Sequence, residues 1–297
     1  MMLPDPPGER SPAALLAFGV VNLDKPPGPS AHQVAAWARD VAGQDRAAHA
    51  GTLDPKVTGC LPTLLGRATR IARVFDDSVK EYVAVLHLQG PAPSDLEAVV
   101  DGFEGEILQT PPRRSAVVRE RRVRTIHDVE VLEREGRRVL LRVVCEAGTY
   151  VRKLCHDLGL ALGTGAHMGD LRRTATGSFD DTTLQTMHDL VDAVAFWKND
   201  DDPGPLRKVV QPAERALEAL PRVVIAESAA REVAEGAPVY APGVLETRDA
   251  PGGETTIERE EPVVCVLPDG AAVSLGPLVG DPASSSGTVV TTDRVLV

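Results

Sequence analysis

Residues 126–162, IHDVEVLEREGRRVLLRVVCEAGTYVRKLCHDLGLAL, decide the fold class. Alternating side chains over 126–133 and 138–146 predict two antiparallel strands that turn around Glu135 and Gly136. Directly after them Val151, Leu154, Cys155, Leu158 and Leu162 fall on one face of a predicted helix. A hairpin running straight into a helix is a mixed pattern, and it predicts an α+β fold with a mixed, largely antiparallel sheet.

Upstream, residues 19–29 (GVVNLDKPPGP) read as a short strand ending in a proline-stiffened loop. A helix follows, with Ser30 and Gln33 as a capping box, Val34, Trp37, Ala38 and Val41 on one face, and Gly43 as its stop. Residues 82–88 alternate as a strand, and Ser94 with Glu97 is expected to cap the helix that contains Leu96, Val99 and Val100. Downstream, NDDDPGP (199–205) has the composition of a linker, and a helix-compatible run continues to Leu220. From Pro221 on, RVVIA, APVYAPGV, PVVCVL, AAVSLG and TVVTTDRVLV alternate with Pro and Gly, the pattern of a small β-rich domain. The expected division is a mobile leader (1–18), a main domain (19–198), a linker and packing helix (199–220) and a β domain (221–297).

No apolar run approaches the roughly 20 residues of a membrane span. The opening MMLPDPPGERSPAA lacks a cationic segment ahead of an apolar one, so a cytoplasmic location is expected. Cys60, Cys145, Cys155 and Cys265 form no C-x-x-C pair, which argues against a zinc ribbon or a disulfide framework and predicts buried thiols. The net charge of -11 normally counts against nucleic-acid binding. Its distribution does not: residues 110–175 carry 14 basic and 8 acidic residues, whereas 176–297 carry 9 and 21. Within the basic segment, Arg113, Arg114, Arg119, Arg121, Arg122 and Arg124 face a single acid, Glu120. That is an electrostatic footprint for phosphate, or in the plainer reading a solvated charged face. The ratio of 26 Arg to 6 Lys among plentiful acids points to a salty cytoplasm.

Two peptides carry chemistry. In His49-Ala-Gly-Thr-Leu-Asp54-Pro55, Pro55 biases Asp54 toward extended backbone and Gly51 permits a tight turn, so the carboxylate sits on a fixed loop. It is either a turn-former or a reacting group. In Glu146-Ala-Gly-Thr-Tyr150-Val-Arg152-Lys153-Leu154 a Gly turn opens a helix, with Arg152 in its first turn. A cation there opposes the helix dipole, so it calls for an anionic partner unless it is a plain surface Arg. Lys80-Glu-Tyr82 opens a strand in which Tyr82 would ordinarily be core.

Taken in order, DKPPGPSAH (24–32), HAGTLDP (49–55), KEY (80–82), AGTYVRKL (147–154) and GAHMGDLRRTATGSF (165–179) resemble the active-site motifs of pseudouridine synthases of the TruB and dyskerin type. PPRRSAVVRERRVR (111–124) and LGLALGTGAHMGDLRRT (158–174) are similar to the archaeal and eukaryotic branch, the catalytic subunit of box H/ACA ribonucleoproteins. Residues 220–244 are similar to the start of a PUA domain, an RNA-binding β-barrel.

The resemblance implies a pseudouridine synthase fold with a small C-terminal β-barrel, and an isomerase acting on uridine. Asp54 would be the catalytic carboxylate, paired with Arg152 in a water-poor pocket, with Tyr82 stacked on the base. His49 would support the flipped nucleotide, Leu171 would line the pocket, Tyr150 would brace its wall, and Arg119, Arg121 and Arg122 would contact substrate RNA. Lys153, His32 and His167 are expected to be structural. No cofactor, metal or membrane is implied. The implied partners are a box H/ACA guide RNA, substrate rRNA and small accessory proteins. A stand-alone tRNA-modifying enzyme and a structural RNA-binding scaffold are the alternatives.

Overall fold

A computed structural model describes residues 3–111, 118–250 and 258–297. In chain order its first part comprises α1 (Pro12–Ala17), β1 (Phe18–Lys25), α2 (Ala31–Ala42), β2 (Ala47–His49), β3 (Thr58–Gly66), β4 (Lys80–Leu88), α3 (Leu96–Asp101), β5 (Gly105–Gln109), β6 (Arg122–Glu135) and β7 (Arg138–Cys145). There follow α4 (Val151–Ala161), β8 (Ala166–Thr176), β9 (Phe179–Asp180), α5 (Met187–Asp200), α6 (Gly204–Val209) and β10 (Gln211–Pro212). The C-terminal part adds β11 (Arg222–Ile225), α7 (Glu227–Ala234), β12 (Val239–Tyr240), β13 (Val244–Arg248), β14 (Pro262–Val266), β15 (Ala272–Pro277), β16 (Thr288–Val290) and β17 (Arg294–Val295).

One large sheet runs β10-β1-β3-β8-β4-β7-β6-β5, with β2 paired to β3 and β9 to β8. Every pairing in it is antiparallel except β3 with β8, where Thr58 and Gly59 face Arg172 and Arg173. The mixed, largely antiparallel α+β sheet expected from the sequence is present. The hairpin of β6 and β7 turns at Gly136, where φ is +59°, a backbone that glycine adopts without steric cost. The Ser30–Gln33 capping box forms, and Gly43 closes α2 in the left-handed region. The Ser94–Glu97 box does not form: α3 starts one residue later, with Asp95 at its cap and no side-chain bond.

Two apolar cores flank the junction at which the site lies. The first joins α2 and α5 to β1 and β3 through Val34, Ala38, Leu61, Leu65 and Leu190. The second joins α3 and α4 to β4 and β7 through Leu86, Leu96, Leu141, Leu154 and Leu158. Tyr82 and Leu171 pack against both.

The C-terminal part holds a five-stranded sheet, β13-β11-β14-β15-β17, and a ribbon of β12 and β16. Its central strands β11, β14 and β15 are buried on both faces. Val223, Val263, Cys265 and Val273 pack with α7, while Val224, Val264, Val266 and Leu275 share a core with Phe18, Val20 and Leu217. This follows from the two-residue period of a strand, with both sets apolar. The expected boundary near residue 220 therefore runs through a common core. Residues expected to belong to a mobile leader are packed as well: Leu15 and Leu16 are buried, Leu3 lies against the C-terminal core, and Arg10 makes a buried bidentate pair with Glu214 at 2.5 and 2.7 Å. Among the described residues no helix is long and apolar enough to cross a membrane.

Candidate active site

Asp54 lies on the loop between β2 and β3, and two buried cations hold that loop. Lys25, at the end of β1, donates from Nζ to the carbonyl oxygens of Pro26, Pro55 and Val57 at 2.8–3.0 Å. Arg173 on β8 is 1% exposed. Its Nε donates to the Cys60 carbonyl at 2.8 Å and one terminal nitrogen to the Ala50 carbonyl at 2.9 Å. A Cβ at Gly51, where φ is +77°, would lie 3.0 Å from the Arg173 guanidinium. The loop is thus stapled from Ala50 to Val57 by charge-assisted bonds, each stronger than a neutral one. Burial depresses the Lys25 ammonium pKa, and the nearby Asp54 carboxylate works against that shift.

Arg152, in the first turn of α4, meets Asp54 in a hydrogen-bonded ion pair. The anionic partner that its position calls for is this carboxylate, brought from 98 residues away. The surroundings differ from the expected water-poor pocket. The side chains of Asp54 and Arg152 are 55% and 48% exposed, so the chain alone leaves the pair wet.

Tyr82 stands opposite Arg173 across the β4–β8 pairing, two residues from Ala84, which faces Leu171. Burial raises the Tyr82 phenol pKa, against the pull of Arg173, so the group stays protonated at neutral pH. Lys80, at the start of the same strand, donates to the carbonyls of Phe75 and Ser78 at 2.7 and 2.6 Å. Its pKa is depressed to about 8 by burial and then by Arg173.

His49 is half-buried and its Nε2 lies 3.1 Å from Nδ1 of His32, with the two rings edge to face. Burial, and then His32 and Arg173, lower the His49 pKa and favour a neutral ring. Among the described residues its Nδ1 has no hydrogen-bond partner. His32, read as structural, is therefore the residue that contacts His49.

Tyr150 caps α4 from the main chain, with no side-chain bond to the helix. Arg119, Arg121 and Arg122 lie where the chain enters β6, and Arg122 stands opposite Gln109 at the end of β5. Arg119 donates to the Pro111 carbonyl at 3.2 Å and Arg122 to Val118 at 3.4 Å, both within the same stretch. Arg113 and Arg114 lie outside the described residues. Lys153 pairs with Asp157 along α4. His167 stacks on His87 with ring centroids 5.3 Å apart, beside a cavity of about 680 Å³ at the far end of β4 from Tyr82. All four thiols are buried, and burial pushes them up to about 11 or 12, so none is a nucleophile at neutral pH.

The fold that carries this pair is shared, along nearly its whole length, with solved structures. The chain is similar to the Cbf5 chain in a crystal structure of a Cbf5–Nop10–Gar1 complex, with a TM-score of 0.92, 44% identity, and 99% of this chain and 90% of that one covered. It is likewise similar to a chain in the structure of an H/ACA RNP bound to a substrate RNA containing 2′-deoxyuridine, with a TM-score of 0.90, 42% identity, and 100% and 92% covered. Residues 39–95 match the family described as TruB family pseudouridylate synthase (N-terminal domain), and 152–218 match the tRNA pseudouridylate synthase B C-terminal domain. A relative from Haloarcula marismortui, a probable tRNA pseudouridine synthase B, is 66% identical over 297 residues, covering 100% of this chain and 94% of its own. Another so named, from Halobacterium salinarum, is 61% identical, covering 98% of each. The chain belongs to the TruB family of pseudouridine synthases, which are RNA isomerases.

Proposed function

We propose that the chain isomerises uridine to pseudouridine in ribosomal RNA selected by a box H/ACA guide RNA, with Asp54 as the catalytic carboxylate. The ion pair of Asp54 with Arg152, on a loop stapled by Lys25 and Arg173, is the observation that carries the reading. Arg152 keeps the carboxylate ionised and aimed; the guanidinium suits that task because its donors are planar and its charge permanent. Asp54 acts at ribose C1′ or C2′ while the C1′–N1 bond breaks. The uracil turns, C5 bonds to C1′, the C5 proton leaves and N1 gains one, so atoms and electrons balance without a redox partner. Tyr82 holds the turning ring, His49 supports the flipped nucleotide, Leu171 lines the pocket and Tyr150 braces it. Since Asp54 and Arg152 are wet in the free chain, the RNA itself supplies the desolvation that the chemistry requires.

Arg119, Arg121 and Arg122 are exposed or half-buried and would fork phosphate oxygens, Arg119 and Arg122 by exchanging their weak main-chain bonds for them. The C-terminal part acts as a PUA-like anchor for the guide RNA. Its 5 basic against 12 acidic residues over 221–297 confine that contact to a narrow face. Small proteins equivalent to those in the Cbf5–Nop10–Gar1 complex complete the particle, and the setting is the salty cytoplasm of an archaeon. The names of the Haloarcula and Halobacterium relatives favour a second reading, guide-independent action on tRNA. Purified protein is to be tested on rRNA and tRNA transcripts, with and without guide RNA and accessory proteins. Conversion of rRNA only with the guide supports the first reading, and conversion of tRNA alone assigns the second.

A further inference from the structure

Gln109, the last residue of β5, is a polar side chain with 2% exposure, and none of the motifs above accounts for it. Both ends of its amide are used by the main chain of one distant residue. Its Oε1 accepts from the Tyr150 N–H at 2.9 Å and its Nε2 donates to the Tyr150 carbonyl at 3.2 Å. Side chain thus pairs with backbone as one strand pairs with another, across 41 residues of sequence.

Tyr150 is the N-cap of α4, and no side chain caps that helix. Its carbonyl also accepts from the N–H groups of Lys153 and Leu154 at 2.9 and 3.0 Å, so the peptide gripped by Gln109 is the one from which the first turn hangs. Arg152 lies in that turn. The other side of the preceding turn is tied as well: Glu146 accepts from the Thr125 N–H at 3.0 Å and from Arg124 at 3.2 Å. A Cβ at Gly148 would sit 3.3 Å from the Arg124 guanidinium. Residues 146–150 are therefore fixed at both ends, by β5 through Gln109 and by β6 through Arg124 and Thr125.

We infer that Gln109 is a positioning residue of the reaction, which sets the start of α4 through Tyr150 so that Arg152 reaches Asp54. The inference rests on the reading of Asp54 and Arg152 given above. A shift of about 1 Å in such a pair costs on the order of 100-fold in rate, and the half-exposed pair has little packing of its own to resist one.

Gln109→Glu separates this role from bulk stability. The carboxyl keeps the shape of the amide, and in its ionised form it faces the Tyr150 carbonyl with no hydrogen to donate. When protonated it offers an O–H in place of the lost N–H, and burial raises the pH at which that happens. Single-turnover pseudouridine formation at saturating RNA should fall about 10-fold to 100-fold at pH 8 and recover most of that loss at pH 6. The wild-type protein serves as the pH control, and RNA affinity should stay within about twofold. Gln109→Met, which fills the same space without donor or acceptor, should lose the rate at both pH values while remaining folded by circular dichroism. A wild-type rate in Gln109→Met, absence of recovery at pH 6 in Gln109→Glu, or losses of affinity and melting temperature in proportion to the rate would each overturn the inference. Asp54→Asn run alongside keeps the two readings apart: an active Asp54→Asn protein refutes the catalytic assignment, whereas an inactive one with a fully active Gln109→Met refutes only the role of Gln109.

Discussion

Asp54 and Arg152 are about half exposed, whereas Lys25 and Arg173, bonded to the same 50–57 loop, have essentially no exposed surface. Among the described residues the outer pair touches only itself through its charged ends. The inner pair spends its charge on main-chain carbonyls contributed by Pro26, Ala50, Pro55, Val57 and Cys60. The inner cations hold the loop in place, and in the proposed reaction the outer pair acts once RNA covers it. If so, stability and chemistry rest on different charges a few residues apart, and substitutions should divide them.

The largest effect is expected from Arg173→Leu, which leaves the carbonyls of Ala50 and Cys60 buried without donors. Each buried carbonyl that loses its donor costs on the order of 1–3 kcal/mol, so chemical denaturation should show a large drop in midpoint, and activity should go with it. A small change in midpoint would show that the loop does not depend on its buried staple.

Arg152→Lys should do the opposite. Exposed ion pairs contribute about 0–1 kcal/mol, so the midpoint should hardly move. The rate should fall roughly 10- to 100-fold, since an ammonium cannot reproduce the guanidinium's planar fork. Equal losses in stability and rate would erase the distinction between the two groups.

A subtler test uses Lys80, whose ammonium pKa drops from an ordinary 10.5 to about 8 in the folded chain. Between those values the unfolded chain holds the proton that the folded chain has released, so this group makes stability rise with pH over that window. Below pH 8 its burial cost is constant. Relative to Lys80→Met, the wild-type protein should gain up to roughly 3 kcal/mol between pH 8 and 10.5, read from paired denaturation curves. Parallel curves would show that Lys80 stays protonated in the fold.

Much of this architecture is legible in the sequence because its signals are local. Period-two alternation gives β6 and β7, and the Ser30–Gln33 box and Gly43 give α2. The inner cations are not legible in that way. Arg173 finds its acceptors 113 and 123 residues away, and they are carbonyls, which any residue type supplies. Gln109 is hidden for the same reason. The leader, rich in Pro and polar residues, looks unstructured until Glu214 arrives from 204 positions away to pair with Arg10. The shared core of the C-terminal part did leave a signal: PVVCVL is continuously apolar where a one-sided strand would alternate, and its two faces go to two different cores. The exposure of the Asp54–Arg152 pair has no local signature, because it depends on what the surrounding strands fail to cover.

The most direct measurement is pseudouridine formation by Asp54→Asn in the assembled particle, with guide and substrate RNA, beside the wild-type protein. The substitution removes the charge and almost no volume, and among the described residues the Asp54 carboxylate is bonded to Arg152 alone, in a half-exposed pair. No detectable pseudouridine, unchanged RNA affinity and an unchanged unfolding midpoint are expected. Turnover near the wild-type rate would contradict the assignment of Asp54 as the catalytic carboxylate.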